Sequence, residues 1–279
     1  MSYLSISTWS LHRLLGPLRM TAWDSESNSH TINEQEQPLV LTLLELPGEA
    51  AARGYQALEI CHFHFPSTEA AYLEQLKAAF EGANMKFDTL LVDYGDLTSE
   101  NEIKRAADIQ YIKKWIDIAS LCGAKQIRVV AGEASPTDDK AIRLSAAALT
   151  DLALYGQSIS VHVITENFRL LTSTAESSIK LLEQTNHQIG FITDFGNYHG
   201  SGKTEEIGAT TPFSVSIHVK PNYDSNGIPD KDELISYLRK VDSTGFNGAY
   251  VLIYDGPGDM WEGLDRVKSI VTPFVLTAH

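Results

Sequence analysis

Eight short β-rich runs alternate with helix-like segments along this chain, and no other feature narrows its fold as far. The runs are YLSISTW (3–9), QALEIC (56–61), KFDTLLV (86–92), QIRVVAG (126–132), ISVHVITE (159–166), IGFITD (189–194), VSIHVK (215–220) and AYVLIY (249–254). Helices are expected over 40–53, 68–83, 101–122, 137–156, 173–185, near 203–208, 230–243 and 260–271. In 101–122, Ile109, Ile112, Ile116 and Ala119 recur at helical spacing, and Lys113, Lys114 and Asp117 take the other face. Gly54, Gly82, Gly123, Gly156 and Gly245 fall near helix ends, where glycine relieves a left-handed cap. Ser67-Thr68 and the run Pro136-Thr137-Asp138-Asp139 read as helix starts. Several strands are apolar for most of their length, as strands covered on both faces are. This rhythm, unbroken by a linker, predicts an α/β protein with one domain over 1–279, a single (β/α)8 TIM barrel. A doubly wound sheet would carry Gly-x-Gly-x-x-Gly after its first strand, whereas the ISTWSLH turn is glycine-free.

One segment departs from the rhythm. Residues 16–39 (GPLRMTAWDSESNSHTINEQEQPL) are polar, lack periodicity and follow the first strand. An insertion this long is expected to be a lid or an interface arm, with Trp23 as its docking residue.

Charge excludes one class of partner. Lys and Arg total 22 against 36 Asp and Glu, a net charge of −14, which opposes a grip on nucleic-acid phosphates. Cys61 and Cys122 are far apart, each in apolar context, so no disulfide scaffold is expected. No apolar run approaches the ~18 residues of a membrane span. The opening MSYLSISTWSLH lacks the pattern of a signal peptide, so a cytoplasmic protein is expected.

In a TIM barrel the chemistry sits at the C-terminal strand ends. There lie His12 after strand one, Glu59, His62 and His64 at strand two, and Arg128 in strand four. Strand five ends in Glu166, strand six in Asp194 with Asn197 beyond, and strand seven in His218 and Lys220; strand eight leads into Asp255. Glu166, Asp194 and His218 end three consecutive apolar strands. Two carboxylates and an imidazole converging there would repel unless a cation lies between them, and mixed oxygen and nitrogen donors suit a divalent ion. The alternative is three separately satisfied residues, for example a carboxylate paired with Lys220 or Arg128.

At these residues the chain resembles the xylose-isomerase-like TIM-barrel superfamily, in its sugar phosphate isomerase/epimerase branch. The matching stretches are GYQALEICHFHFP (54–66), CGAKQIRVVAG (122–132), ITENF (164–168), FITDFGNYH (191–199), SIHVK (216–220) and GFNGAYVLIYDGP (245–257). The resemblance implies a metal-dependent enzyme that moves a proton next to a sugar carbonyl. It implies metal ligands Glu166, Asp194 and His218, with a fourth, a strand-eight Glu. Ile253 stands at that fourth position, and Asp255, one pleat further, is either a substitute ligand or a turn residue. Phe168 and Pro221 also replace residues usual in the family.

The expected cofactor is Mn, Mg, Zn or Co. Glu166, Glu59 and His62 are the candidate catalytic residues; Arg128, Lys220, Asn197 and His12 are the candidate substrate contacts. The expected partner is a small carbohydrate-like molecule, with neither nucleic acid nor membrane, and a homodimer is expected. Without the second glutamate, two-base epimerisation is in doubt. A dehydratase or lyase of the same superfamily is the first alternative, and a non-catalytic relative the second.

Overall fold

The computed structural model describes residues 1–277. Eight parallel strands close a barrel: β1 (Tyr3–Ser7), β4 (Ala57–Cys61), β5 (Lys86–Leu91), β6 (Gln126–Arg128), β7 (His162–Glu166), β8 (Gly190–Asp194), β9 (Ser214–Val219) and β10 (Ala249–Leu252). Closure comes from β1, which pairs with β4 on one side and β10 on the other. Helices α1 (Leu46–Ala52), α2 (Ala70–Gly82), α3 (Glu102–Cys122), α4 (Asp139–Ser158), α5 (Ala175–Gln184), α6 (Lys203–Thr210), α7 (Lys231–Asp242) and α8 (Met260–Thr277) follow the strands in turn. The predicted TIM barrel is therefore the fold. Among the described residues no helix is long and apolar enough to cross a membrane, and both cysteines are free and buried.

Local signals explain most boundaries. Asn101 and Asp138 cap α3 and α4, each accepting two backbone N–H bonds of the first turn, an arrangement worth about 1 kcal/mol per cap. Gly123 ends α3 in the left-handed conformation at φ 80°. Gly82 and Gly156 do not play that role; Asn84 (φ 51°) and Ser160 (φ 64°) take the left-handed positions after α2 and α4. Gly156 serves close packing instead, since a Cβ there would lie 2.5 Å from the Val161 carbonyl oxygen. Helix α1 begins later than the periodicity suggests because Pro47 sits in its first turn, leaving 40–45 as a turn region.

The insertion is a β-hairpin, an element its sequence pattern did not announce. Strands β2 (Leu18–Asp24) and β3 (Ser29–Gln35) pair antiparallel in unbroken register from Leu18↔Gln35 to Asp24↔Ser29. Asp24 organises the turn by accepting bonds from Glu26 N–H and Ser27 Oγ–H, and Asn28 adopts φ 51°. One face turns to the barrel. Thr21 Oγ1 lies 2.7 Å from Tyr111 Oη, and His30 Nε2 lies 2.9 Å from the buried carboxylate of Asp108. Trp23 packs edge-on against His30.

The core falls into three clusters, the smallest being Ala249, Val251 and Ile253. A large one lies between barrel and helices. A smaller one fills the barrel's upper interior with Cys61, Leu91, Ile164 and Ile192, joined by Phe63 and by Leu18 from the hairpin root. Leu18 is 3% exposed, and full burial of such a side chain is worth about 1.5–3 kcal/mol. The hairpin is thus anchored at the mouth of the barrel.

Candidate metal centre

Strands β7, β8 and β9 lie side by side, with Glu166 opposite Ile192 and Asp194 opposite His218. Because Ile164 and Ile192 pack inside the barrel, the residues two further along, Glu166 and Asp194, face the same interior. His218 completes the group. Its Nδ1 lies 3.5 Å from Glu166 Oε1 and 3.4 Å from Asp194 Oδ2. One donor atom from each of the three falls within 4.8 Å of the others, and all three residues are buried. Among the described residues no other three such side chains converge this closely.

Each ligand candidate is held by neighbours. Glu166 Oε1 accepts from Asn197 Nδ2 at 3.2 Å, and its Oε2 lies 2.9 Å from Arg128 Nε as an ion pair. Asp194 Oδ1 accepts from Gly196 N–H. A Cβ on Gly196 would sit 2.6 Å from Lys220 Cδ, so glycine is what lets Lys220 pass. Asn167 brackets the end of β8, accepting from Asp194 N–H at 2.7 Å and donating to Asp194 O at 2.9 Å. His218 Nε2 lies 2.7 Å from Glu59 Oε2. Glu59 is fully buried one pleat below Cys61, and its other oxygen has no hydrogen-bond partner.

The electrostatics agree with this geometry. Burial alone would push the His218 imidazole toward neutrality, yet Glu59, Glu166 and Asp194 together hold its pKa well above 6.5. Asp194 is held below the usual carboxylate range: burial opposes its charge, and His218, Lys220 and the Gly196 N–H outweigh that. The carboxylates thus favour positive charge on His218, in the space between them. A divalent ion would supply that charge at Nδ1. Two carboxylate oxygens and one imidazole nitrogen, with the opposite ring nitrogen already engaged, suit a catalytic divalent cation that keeps open positions.

The eighth strand contributes no ligand. Ile253 follows β10, is 3% exposed, and packs with Ala249, Val251, Tyr3 and Trp9. Asp255 stands outside the three-residue group, and its carboxylate meets Lys220 Nζ at 2.8 Å. Arg13 pins the turn beyond it through the carbonyls of Gly256 and Gly258, at 2.9 and 3.1 Å.

The remaining candidates fall in different places. Arg128 is buried between Glu166 and Asp93, also donating to Val92 O at 3.1 Å. Burial opposes its charge and the two acids reinforce it. Lys220 lines a cavity of about 370 Å³ with Gly196, Asn222 and Asp255; burial lowers its pKa, and Asp194 and Asp255 raise it by more. His12 stacks on Trp9 with ring centroids 4.4 Å apart, its Nδ1 donating to Trp9 O. His62 is buried, accepts from Asp93 N–H at Nδ1, and meets Thr21 Oγ1 at Nε2. Burial pushes its pKa down to about 4. His64 is buried against Thr8 Oγ1, at about 3 for the same reason. Asp93 escaped the sequence reading. The signal for Asp93 was an acid directly after the apolar run of strand three.

This is a barrel with a carboxylate–imidazole cluster sunk at the C-terminal mouth. The sequence model of the xylose isomerase-like TIM barrel family matches residues 47–270, and the chain belongs to that family. No curated protein matches the chain at the sequence level. Among solved structures, the chain is similar to an L-ribulose 3-epimerase (14% identity, TM-score 0.72, covering 100% of this chain and 96% of the other). It is also similar to an IOLI protein with a bound zinc atom (16%, 0.71, 99% and 99%). A third is the probable 3-DHS dehydratase AsbF of Bacillus anthracis (15%, 0.68, 97% and 99%). At such identities the likeness is one of fold.

Proposed function

We propose that this chain is a divalent-metal-dependent enzyme of the isomerase/epimerase type, moving a proton on the carbon next to a carbonyl of a small sugar or polyol-derived substrate. The observation that carries the reading is His218 Nδ1 poised 3.4–3.5 Å from two carboxylates. Glu166, Asp194 and His218 would hold Mn, Mg, Zn or Co, and the bound ion would polarise the substrate carbonyl and neighbouring hydroxyl as a Lewis acid. The L-ribulose 3-epimerase and the zinc-bound protein among the structural relatives support this reading.

The chain's own residues supply the rest. Glu166 is the base that takes the α-proton, aimed by Asn197 at Oε1 and Arg128 at Oε2. Arg128 and Lys220 place positive charge where negative charge develops on oxygen. Lys220 and Asp255, about 30% exposed, meet the substrate's hydroxyls at the open side. His12, stacked on Trp9, stands near Asp255 on the same stretch of rim. The hairpin, rooted by Leu18, excludes water from the mouth. His62 is neutral and ties the hairpin to the barrel.

A second reading is favoured by one observation, the apolar Ile253 where a second acid would stand. With a single base, the proton returns on the face it left or a neighbouring hydroxyl departs as water. That reading is a dehydratase, as one structural relative is described to be. Solvent exchange tests both. Metal-loaded protein in D₂O should incorporate deuterium next to the carbonyl of at least one member of a panel of ketoses, inositol-derived ketones and dehydroshikimate-like acids. Exchange without loss of water supports the isomerase, and loss of water supports the dehydratase. No incorporation into any member overturns both readings in favour of a non-catalytic relative.

A further inference from the structure

We infer that Glu59 is a positioning residue for the metal centre: it fixes the proton of His218 on Nε2 so that Nδ1 presents its lone pair to the cation. This inference rests on the proposed metal centre and adds to it a residue on the far side of the ligand.

A carboxylate accepts hydrogen bonds and does not donate them, so the ring nitrogen facing Glu59 Oε2 at 2.7 Å carries the hydrogen. Nε2 is thereby spoken for, and the nitrogen left over is the one between Glu166 and Asp194. A carboxylate behind a metal-bound imidazole fixes ring orientation and raises the basicity of the ligating nitrogen.

Placement argues the same role. Glu59 has a fully buried side chain, and the interior position nearer the rim on its strand is Cys61, packed with Leu91, Ile164 and Ile192. A layer of side chains thus separates Glu59 from the mouth, and among the described residues its single hydrogen-bonding partner is His218. A carboxylate stripped of solvent with one oxygen unpartnered is costly to keep. It is retained here at the one point where it touches a ligand and cannot touch a substrate. Its acid/base character, suggestive in the sequence, is directed at the imidazole.

The experiment is metal titration of the full chain, as isolated and stripped of metal, with Zn²⁺ and Mn²⁺ separately, for wild type, Glu59→Gln, Glu59→Leu and Glu166→Ala. Nitrogen-15 spectra of the His218 ring are recorded in the Zn²⁺-bound forms. Wild type should bind one ion with His218 protonated at Nε2 and coordinated through Nδ1. Glu59→Gln, which keeps shape and one acceptor, should weaken binding about 10-fold, and Glu59→Leu up to about 100-fold. Thermal melts of the metal-free proteins separate positioning from folding: a purely structural Glu59 would lower the melting temperature and leave metal affinity unchanged. If both Glu59 variants bind metal as wild type does while Glu166→Ala does not, the positioning role is overturned and the metal centre stands. If wild type itself binds no ion, the metal centre falls and the role of Glu59 falls with it.

Discussion

The two halves of the barrel's rim differ in kind. Along β7, β8 and β9 the interior positions at the C-terminal ends are Glu166, Asp194 and His218, each with a polar neighbour that orients it. The other half begins on the very next strand: beside His218, its partner in register, β10 offers Val251 and then Ile253, packed with Trp9. The same fold builds a half lined by carboxylates and an imidazole and, beside it, an apolar half. In the proposed reaction such a mouth grips a polar substrate from its polar side, and position 253 offers no second acid. The difference rests on very few positions, and on residue 253 above all.

The largest effect is expected from the polar half. Glu166→Gln should lower turnover of the substrate found by solvent exchange by about 10²–10⁴-fold, as loss of a general base does. Steady-state kinetics checks this, and a loss under about tenfold would remove Glu166 from the base role. Next comes Arg128→Leu, which strands the buried Glu166 and the half-buried Asp93 without their cation. It should cost about 3–5 kcal/mol in urea unfolding of the metal-free protein. Ile253→Glu would make the two halves alike. Without metal it should destabilise by roughly as much, about 3–5 kcal/mol, because it buries an unpaired charge. With metal much of that loss should return and affinity should rise. No gain in affinity would show that position 253 does not face the ion.

Acid sensitivity is expected from the histidines under the hairpin. His62 and His64 are held neutral by burial, at about 4 and about 3. Between those values and the ordinary 6.5, the unfolded chain binds protons that the folded chain refuses. Stability therefore rises with pH across that window and is lost as pH falls below about 6.5, by roughly 2 kcal/mol per histidine at pH 5. In urea melts, wild type should lose about 2 kcal/mol more stability between pH 7 and pH 5 than His64→Gln, and equal losses would contradict it. The smallest effect belongs to the hairpin tie. Thr21→Val removes the bond to Tyr111 and should cost about 1 kcal/mol, read by thermal melting and by faster amide exchange in 18–35.

The barrel was legible in the sequence because its strands are apolar runs buried on both faces and its helices carry a periodic stripe, so local pattern and global burial agree. The three ligand candidates were legible for the opposite reason: Glu166, Asp194 and His218 break apolar runs at their ends, where a polar side chain needs a purpose. What the pattern did not disclose was partnership across strands. Arg128 was left between holding substrate and pairing with a carboxylate, and only the fold places it against Glu166 and Asp93. Asp255 was left between ligand and turn; the fold gives its carboxylate to Lys220. The hairpin was missed because β3 is exposed along nearly its whole length, and a strand without a buried face shows no alternation of apolar and polar residues. Its signals were the Asp24–Ser29 turn and the Thr, Ile and Trp residues around it.

The central claim is that the polar half of the rim holds a metal ion. Its most direct test is metal analysis of the protein purified without chelator, beside Glu166→Ala prepared in the same way. One divalent ion per chain in wild type, lost from the variant, is the predicted result. Wild type without stoichiometric metal, before and after incubation with Mn²⁺, Mg²⁺, Zn²⁺ and Co²⁺, would contradict it.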